Sequence, residues 1–288
     1  MTFSSVTAYC PGHLSGYFKR VQGRTPATTG STGAGIVISE GVRATVTPAD
    51  TLTIRVLQED YGGSMKEKAC SSGPLEDILK RLGFIVSVVT ECRLPIGAGF
   101  GLSAAALLAT LTAANRLCDG GLTPHAIAGY AHETEVIHRT GLGDVAACQD
   151  GGRVERTGPG IDAEIHRRFD LSEPLYAISF GAIPSPSVLG SPEDLERIAA
   201  AFPPEPSHGI RDFFSNANLF ADRSGLVTPE VREVLAACRQ EKVPAAMTML
   251  GNGVFGYGRE ARDILMPFGT VYEFHMARHG TRIIGECS

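Results

Sequence analysis

The chain has 288 residues, 43% of them apolar and 20% charged, with a formal net charge of −5; it is long enough to bury one large core or two modest ones. An acidic balance without charge runs excludes a global basic field of the kind that draws nucleic acid or an anionic membrane. Seven cysteines with no C-x-x-C spacing argue against a zinc site or a disulfide framework and fit a reducing cytoplasm.

The polar, alternating N-terminus is unlike a signal peptide, and the longest apolar run, residues 104–109, is far too short to span a bilayer. Residues 4–9 alternate as a strand that Pro11-Gly12 ends, and residues 11–16 read as a polar turn carrying His13 and Ser15. Residues 24–35 are rich in Thr, Ser and Gly. Either they form a flexible linker, or they form a loop whose backbone closes on a ligand. The strand Ile36-Val37-Ile38 that follows at once favours ligand contact. Residues 42–46 and 51–57 alternate around Pro48-Ala49-Asp50, a hairpin pattern. Residues 58–73 form an exposed connection, 74–82 an amphipathic helix and 84–92 a strand. Cys10, Cys92, Cys118 and Cys148 read as small buried hydrophobes.

That strand delivers the chain to Pro95-Ile96-Gly97-Ala98-Gly99-Phe100-Gly101-Leu102-Ser103-Ala104, followed by an alanine- and leucine-rich helical run. Ser103 falls at the N-cap or in the first turn. Glycines admit close approach, and the first amides of a helix lack partners while its dipole favours negative charge. The stretch is either a phosphate cradle or a glycine-rich turn before a buried helix.

Thr123-Pro124 starts the next helix, with Ile127, Tyr130, Ala131, Thr134 and Ile137 as its apolar stripe. Glu133 and Glu135 fall on its two opposite borders, so periodicity leaves open which one faces a site. Asp144 then stands in a glycine turn, as an N-cap or as a carboxylate base aimed into a cleft. From residue 158 the pattern changes to a strand at 175–180, helices at 193–201, 210–220 and 229–239, a second glycine loop at 251–257, a helix at 261–266 and short strands at 271–275 and 281–284. This irregular alternation points to an α+β fold.

Pro95 to Ala105, Glu135 ahead of Gly143-Asp144, and the Gly251 to Gly256 loop, in this order, resemble the GHMP kinase superfamily over nearly the whole chain. Pro11-Gly12-His13, Gly30-Ser31, residues 94–103, 140–145 and 250–255 are most similar to the archaeal pantoate kinase group within it. The resemblance implies a GHMP kinase fold: residues 1–157 similar to the second domain of ribosomal protein S5, and residues 158–288 to a ferredoxin-like domain. It implies that Pro95, Gly97, Ala98, Gly99, Gly101, Leu102, Ser103 and Ala104 wrap the phosphates of ATP. Ser103 and Glu135 would hold Mg²⁺, and Asp144 would take the proton of the substrate hydroxyl. Glu135 is preferred over Glu133 because residues 135–138 resemble the Glu-x-Val-Ile-His turn of mevalonate kinases.

Two departures stand out. Leu102 replaces the first of two serines common in the superfamily, and Gly251-Asn252-Gly253 is shorter than the usual third glycine run. Homoserine kinases lack the Asp, so Asp144 favours the base-using branch. The implied reaction is phosphorylation of the primary hydroxyl of (R)-pantoate to 4-phosphopantoate, on the way to coenzyme A, in the cytoplasm. His13, Ser15, Arg24, Gly30 and Ser31 are the candidates for binding the substrate. The alternatives are another small alcohol, such as mevalonate or a sugar, and a nucleotide-binding regulator without turnover. A homodimer is expected at the level of the family; no nucleic-acid or membrane partner is.

Overall fold

The computed structural model describes residues 3–60 and 62–288. Met1, Thr2 and Tyr61 lie outside it, and with them the start of the polar N-terminus and one residue of the 58–73 connection. β1 (Ser5–Val21) and β2 (Gly30–Pro48) form a long antiparallel hairpin from Val6↔Val46 to Val21↔Gly30, closed by a 3-10 turn at Pro26–Thr28. Pro11-Gly12 does not end the first strand. A register shift between Pro11 and Gly12, and another between Ser15 and Tyr17, absorb the missing proline amide and re-aim the side chains between them. Of the Thr/Ser/Gly stretch 24–35, residues 30–35 likewise run as strand, while 24–29 form the connection around the 3-10 turn. Its small residues admit close neighbours: a Cβ on Gly35 would lie 2.2 Å from His13 Nε2, and one on Gly30 would lie 2.8 Å from the Gly160 amide.

β3 (Thr53–Glu59) and β4 (Met65–Ala69) make a short hairpin, the second strand lying inside the segment expected as a connection. α1 (Gly73–Arg81) leads to β5 (Val86–Cys92). The hairpin expected around Pro48-Ala49-Asp50 does not form, because β5 inserts between β2 and β3, antiparallel to the first and parallel to the second. β5 buries Val86, Val88, Thr90 and Cys92, whereas β3 buries only Ile54, so the more apolar strand takes the inner position.

α2 (Leu102–Leu117) buries ten residues and lies against β1 and β2. α3 (Pro124–His138) starts where Thr123 Oγ1 accepts the Ala126 amide at 3.1 Å, with Pro124 in its first turn. α4 (Asp144–Cys148) is five residues long and precedes β6 (Arg153–Arg156) and β7 (Ile165–Arg168), which pair with each other, β6 also joining β2. The remaining elements are β8 (Leu175–Ala182), α5 (Ser185–Leu189), α6 (Pro192–Ala201), α7 (Ile210–Ser224), α8 (Pro229–Gln240), β9 (Ala245–Met247), β10 (Gly251–Tyr257), α9 (Glu260–Leu265), β11 (Tyr272–Phe274) and β12 (Arg282–Cys287).

Strands β12-β1-β2-β5-β3-β4, with β6 and β7 attached through β2, form one sheet, and β11-β8-β10-β9 form another. The sheets do not divide the chain at a single point: β7 and β12 come from beyond residue 158 yet belong to the first. One apolar core runs continuously under both, joining Leu14, Phe18 and Leu108 to Phe213, Phe220 and Phe255. Cys10, Cys92 and Cys148 are buried in line with expectation, but Cys118, just past the end of α2, is exposed. Among the described residues no helix is long and apolar enough to cross a membrane.

Candidate active site

The glycine stretch between β5 and α2 is held open as a cradle by its backbone. Gly97, Gly99 and Gly101 have φ of +78°, +84° and +65°. A Cβ on Gly99 would stand 2.8 Å from the Met249 carbonyl oxygen, and one on Gly101 2.9 Å from the His13 amide nitrogen. The loop is therefore clamped between the β9–β10 turn and β1, and the His13 amide donates to the Phe100 carbonyl at 2.9 Å. Gly101, not Ser103, is the N-cap of α2, and no side chain caps it. The first amides of a 16-residue helix are thus left for a ligand. Gly97, Gly99, Gly101, Leu102 and Ser103 line a cavity of about 430 Å³. Ala98 and Ala104 are buried behind it, and Pro95 lies outside the lining, its carbonyl accepting the Ala98 amide at 3.4 Å. The segment expected as a second glycine loop is strand β10, and its first residue packs on the cradle: a Cβ on Gly251 would collide with the Ala98 carbonyl at 2.0 Å, while Met249 and Leu250 of the preceding turn reach the cavity wall.

α3 settles which carboxylate faces inward. Glu135 is buried and lines the cavity, whereas Glu133 is turned outward to Arg81 at 3.5 Å; Ile137, expected in the buried stripe, is 50% exposed. Ser103 lies near enough to ease the charge on the Glu135 carboxylate, and Thr140 Oγ1 donates to its Oε1 at 3.3 Å. Gly141 leaves room for the carboxylate in this place, since a Cβ there would lie 2.4 Å from Glu135 Oε2 and displace it. Burial, reinforced by the charge of Asp144, pushes the Glu135 carboxyl up to about 8 against the partial relief of those hydroxyls.

Asp144 opens α4 behind Gly143 and also lines the cavity. His13 Nδ1 lies 2.7 Å from Asp144 Oδ1. Burial works against ionisation of Asp144, but the His13 hydrogen bond and the positive charge of Arg156 outweigh it and hold the carboxyl below its usual range. Burial also lowers the pKa of His13, which is fully enclosed. An ionised carboxylate only accepts, so a neutral His13 donates from Nδ1. Its Nε2 is then a buried acceptor without a partner.

Arg156 is the cation that the sequence reading missed. It stands on β6, 2% exposed, and lines the cavity beside Asp144. Its Nη2 donates to Ser31 Oγ at 3.3 Å, while Nε and Nη1 are buried without protein partners. A Cβ on Gly143 would come within 2.7 Å of Arg156 Nε, so Gly143 lets the guanidinium lie over the start of α4. Burial lowers the Arg156 pKa and the charge of Asp144 offsets this. Of the five residues proposed for substrate, Ser15 and Ser31 reach the cavity. Gly30 packs behind it, His13 acts on Asp144 from within the core, and Arg24 is exposed away from the lining. Arg156, not Arg24, is thus the cation that lines the cavity. Nothing in Arg153-Val154-Glu155-Arg156 marks it, since three of the four residues are charged and only pairing with β2 buries this one.

The donor set around Ser103 and Glu135 fits a hard divalent cation. Among the described residues no cluster of three or more His, Cys, Asp or Glu forms a closed metal cage. Mg²⁺ needs none, because it takes one or two protein oxygens and fills its shell with water and phosphate. The Glu135 carboxyl is raised first by burial and then by the charge of Asp144, and a bound cation would favour its ionised form against both.

Comparisons with known proteins converge on one family. The family model for the GHMP kinases N terminal domain matches residues 69–152. The chain is 44% identical to a pantoate kinase of Methanospirillum hungatei, over 99% of this chain and 98% of that protein. It is 30% identical to a pantoate kinase of Thermococcus kodakarensis, over 93% and 94%. A solved structure described as a phosphotransferase related to the CoA biosynthesis pathway superposes with a TM-score of 0.80 at 24% identity, covering 97% of this chain and 98% of that one. Mevalonate-3-kinase of Thermoplasma acidophilum superposes with a TM-score of 0.67 at 13% identity, covering 99% and 100%.

Proposed function

This chain belongs to the GHMP kinase family, and from that premise we propose that it transfers the γ-phosphoryl group of ATP to the primary hydroxyl of (R)-pantoate, giving 4-phosphopantoate. The observation that carries the reading is one cavity holding an ionised carboxylate, Asp144, a buried arginine with two unpartnered nitrogens, Arg156, and the open N-terminus of α2. The near full-length likeness to two pantoate kinases supports the choice of acceptor.

The amides at Leu102, Ser103 and Ala104, at the positive end of the α2 dipole, receive the phosphates. Ser103 and Glu135 would hold Mg²⁺, which supplies neutralisation of charge on the phosphoryl oxygens. The pantoate carboxylate lies on Arg156 Nε and Nη1, with Ser31 steadying the guanidinium from the other side. This fixes the acceptor so that its hydroxyl meets Asp144. His13 keeps Asp144 ionised and aimed, and Asp144 accepts the hydroxyl proton as the oxygen attacks phosphorus in line with the departing ADP. Burial of His13, Glu135 and Arg156 keeps the reacting centre dry, so each fixed dipole acts at full strength. The reaction belongs in the cytoplasm, where seven unpaired cysteines stay reduced.

An ADP-release assay with Mg²⁺-ATP, comparing pantoate, mevalonate and homoserine, tests the reading. Turnover with pantoate well above the other two is expected. Preferred turnover of mevalonate or homoserine overturns the substrate, and ATP binding without transfer to any alcohol overturns the kinase.

A further inference from the structure

We infer that Arg167, on β7 and outside the cavity lining, is a positioning residue for Asp144 that grips the far end of the helix carrying it. The inference rests on the role proposed above for Asp144.

A five-residue helix makes too few internal bonds to hold its own direction, and its last carbonyls have no partners within it. α4 is such a helix, with the reacting carboxylate on its first residue. Arg167 supplies what α4 lacks. Its Nη1 is shared among the carbonyls of Ala147 at 2.9 Å, Asp150 at 3.1 Å and Gly151 at 2.9 Å, and its Nη2 donates to the Ala146 carbonyl at 3.2 Å. A single guanidinium thus ties down the end of α4 and the turn after it, with a cation at the negative end of the helix.

The same hairpin holds the other end. β6 pairs with β7 so that Val154 faces Arg167 and Arg156 faces Ile165. Opposite and alternate residues share a face, so Arg156 and Arg167 are diagonal neighbours on one side of the hairpin. Arg156 lies over Gly143 at the start of α4 while Arg167 closes its end. The hairpin therefore fixes the offset between Asp144 and the guanidinium assigned to the substrate carboxylate. Misplacing a catalytic group by about 1 Å costs roughly 10²-fold in rate. Lysine has one donor centre in place of the planar fork and reaches fewer of the four carbonyls.

The test uses the full chain with Arg167→Gln and Arg167→Lys, each made alone and on Asp144→Asn, assayed where circular dichroism shows every variant folded. Arg167→Gln should lower kcat with pantoate by about 10–100-fold, leave KM for ATP within about twofold, and cause no further loss in the Asp144→Asn background; Arg167→Lys should recover part of the rate. Hydrogen exchange at the α4 amides without substrate should quicken in Arg167→Gln. Unchanged kcat, or the same loss with and without the Asp144 carboxylate, overturns the inference. If the wild type phosphorylates no alcohol, the proposed function fails, and the exchange measurement then decides the grip on α4 by itself: protected amides in Arg167→Gln overturn it.

Discussion

His13 Nδ1 meets Asp144 Oδ1 at 2.7 Å across 131 residues of chain, joining a bulged strand to the first residue of a short helix. The contact works in both directions. The neutral ring gives the buried carboxylate a donor, and the carboxylate fixes the tautomer of the ring. A hydrogen bond to a charged group contributes roughly 1.5–3 kcal/mol, or about 10–100-fold in rate if it is needed for reaction. His13→Ala should lower kcat by that factor with KM for ATP little changed. His13→Asn, whose amide can donate from nearly the same place, should recover part of the loss. Steady-state kinetics of the two variants decide it, and equal losses in both remove the hydrogen bond as the cause.

Asp144→Asn keeps the shape of the side chain and removes its basicity. Positioned proton transfer is worth about 10²–10⁴-fold, so kcat should fall by that much while ATP affinity stays near normal. Wild-type turnover in this variant excludes Asp144 as the base.

Glu135 sets a pH dependence opposite to that of Asp144. In the folded chain its carboxyl stays protonated up to about 8, against an ordinary 4.5. Between those values the folded state binds more protons than the unfolded one. The stability Glu135 contributes is thus full below about pH 4.5 and is lost as pH rises through 8. Asp144, held low, contributes stability that is lost as pH falls. Thermal unfolding without metal should show a fall in Tm between pH 5 and 8 that Glu135→Gln flattens. Binding of Mg²⁺-ATP near pH 7 should release close to one proton, read as a buffer-dependent heat in calorimetry. Buffer-independent heats would take Glu135 out of the metal site.

Arg156 is poised for a trade of stability against binding. Two of its nitrogens are buried without partners, and an unpaired buried polar group costs about 1–3 kcal/mol. Arg156→Met should therefore leave the chain at least as stable as the wild type by denaturant unfolding. It should raise KM for a carboxylate-bearing alcohol by about 10-fold or more, with KM for ATP nearly unchanged. A variant that loses ATP binding instead would move Arg156 to the phosphates.

Gly99 adopts φ +84° beneath the Met249 carbonyl. Gly99→Ala combines a left-handed backbone with a 2.8 Å contact to main chain and should cost about 1–3 kcal/mol of stability. It should also raise KM for ATP, because the cradle and the β9–β10 turn move together. Unfolding free energies and nucleotide titrations check both halves.

Local patterns carried the pieces whose chemistry is local. The glycine cradle before α2, the Thr123-Pro124 start of α3 and the glycine turn bearing Asp144 all appear in the sequence, since positive φ, helix capping and apolar spacing are decided within a few residues. The same patterns misread Pro11-Gly12 as a strand end, because a bulge accepts proline and glycine only once a partner strand is in place. They also read a reversal at Pro48 as a hairpin, because a turn records a change of direction and not which strand will fill the neighbouring place.

The amino-acid sequence alone determined that a glycine-rich loop feeding a helix start and a glycine-borne carboxylate would exist, for both are written in contiguous residues. Resemblance favoured Glu135 over Glu133, but tertiary structure decided that it faces inward, and it alone brought His13 to Asp144 and buried Arg156. Each depends on burial and on partners brought together by chain folding across tens to more than a hundred residues, and periodicity within one element reports neither.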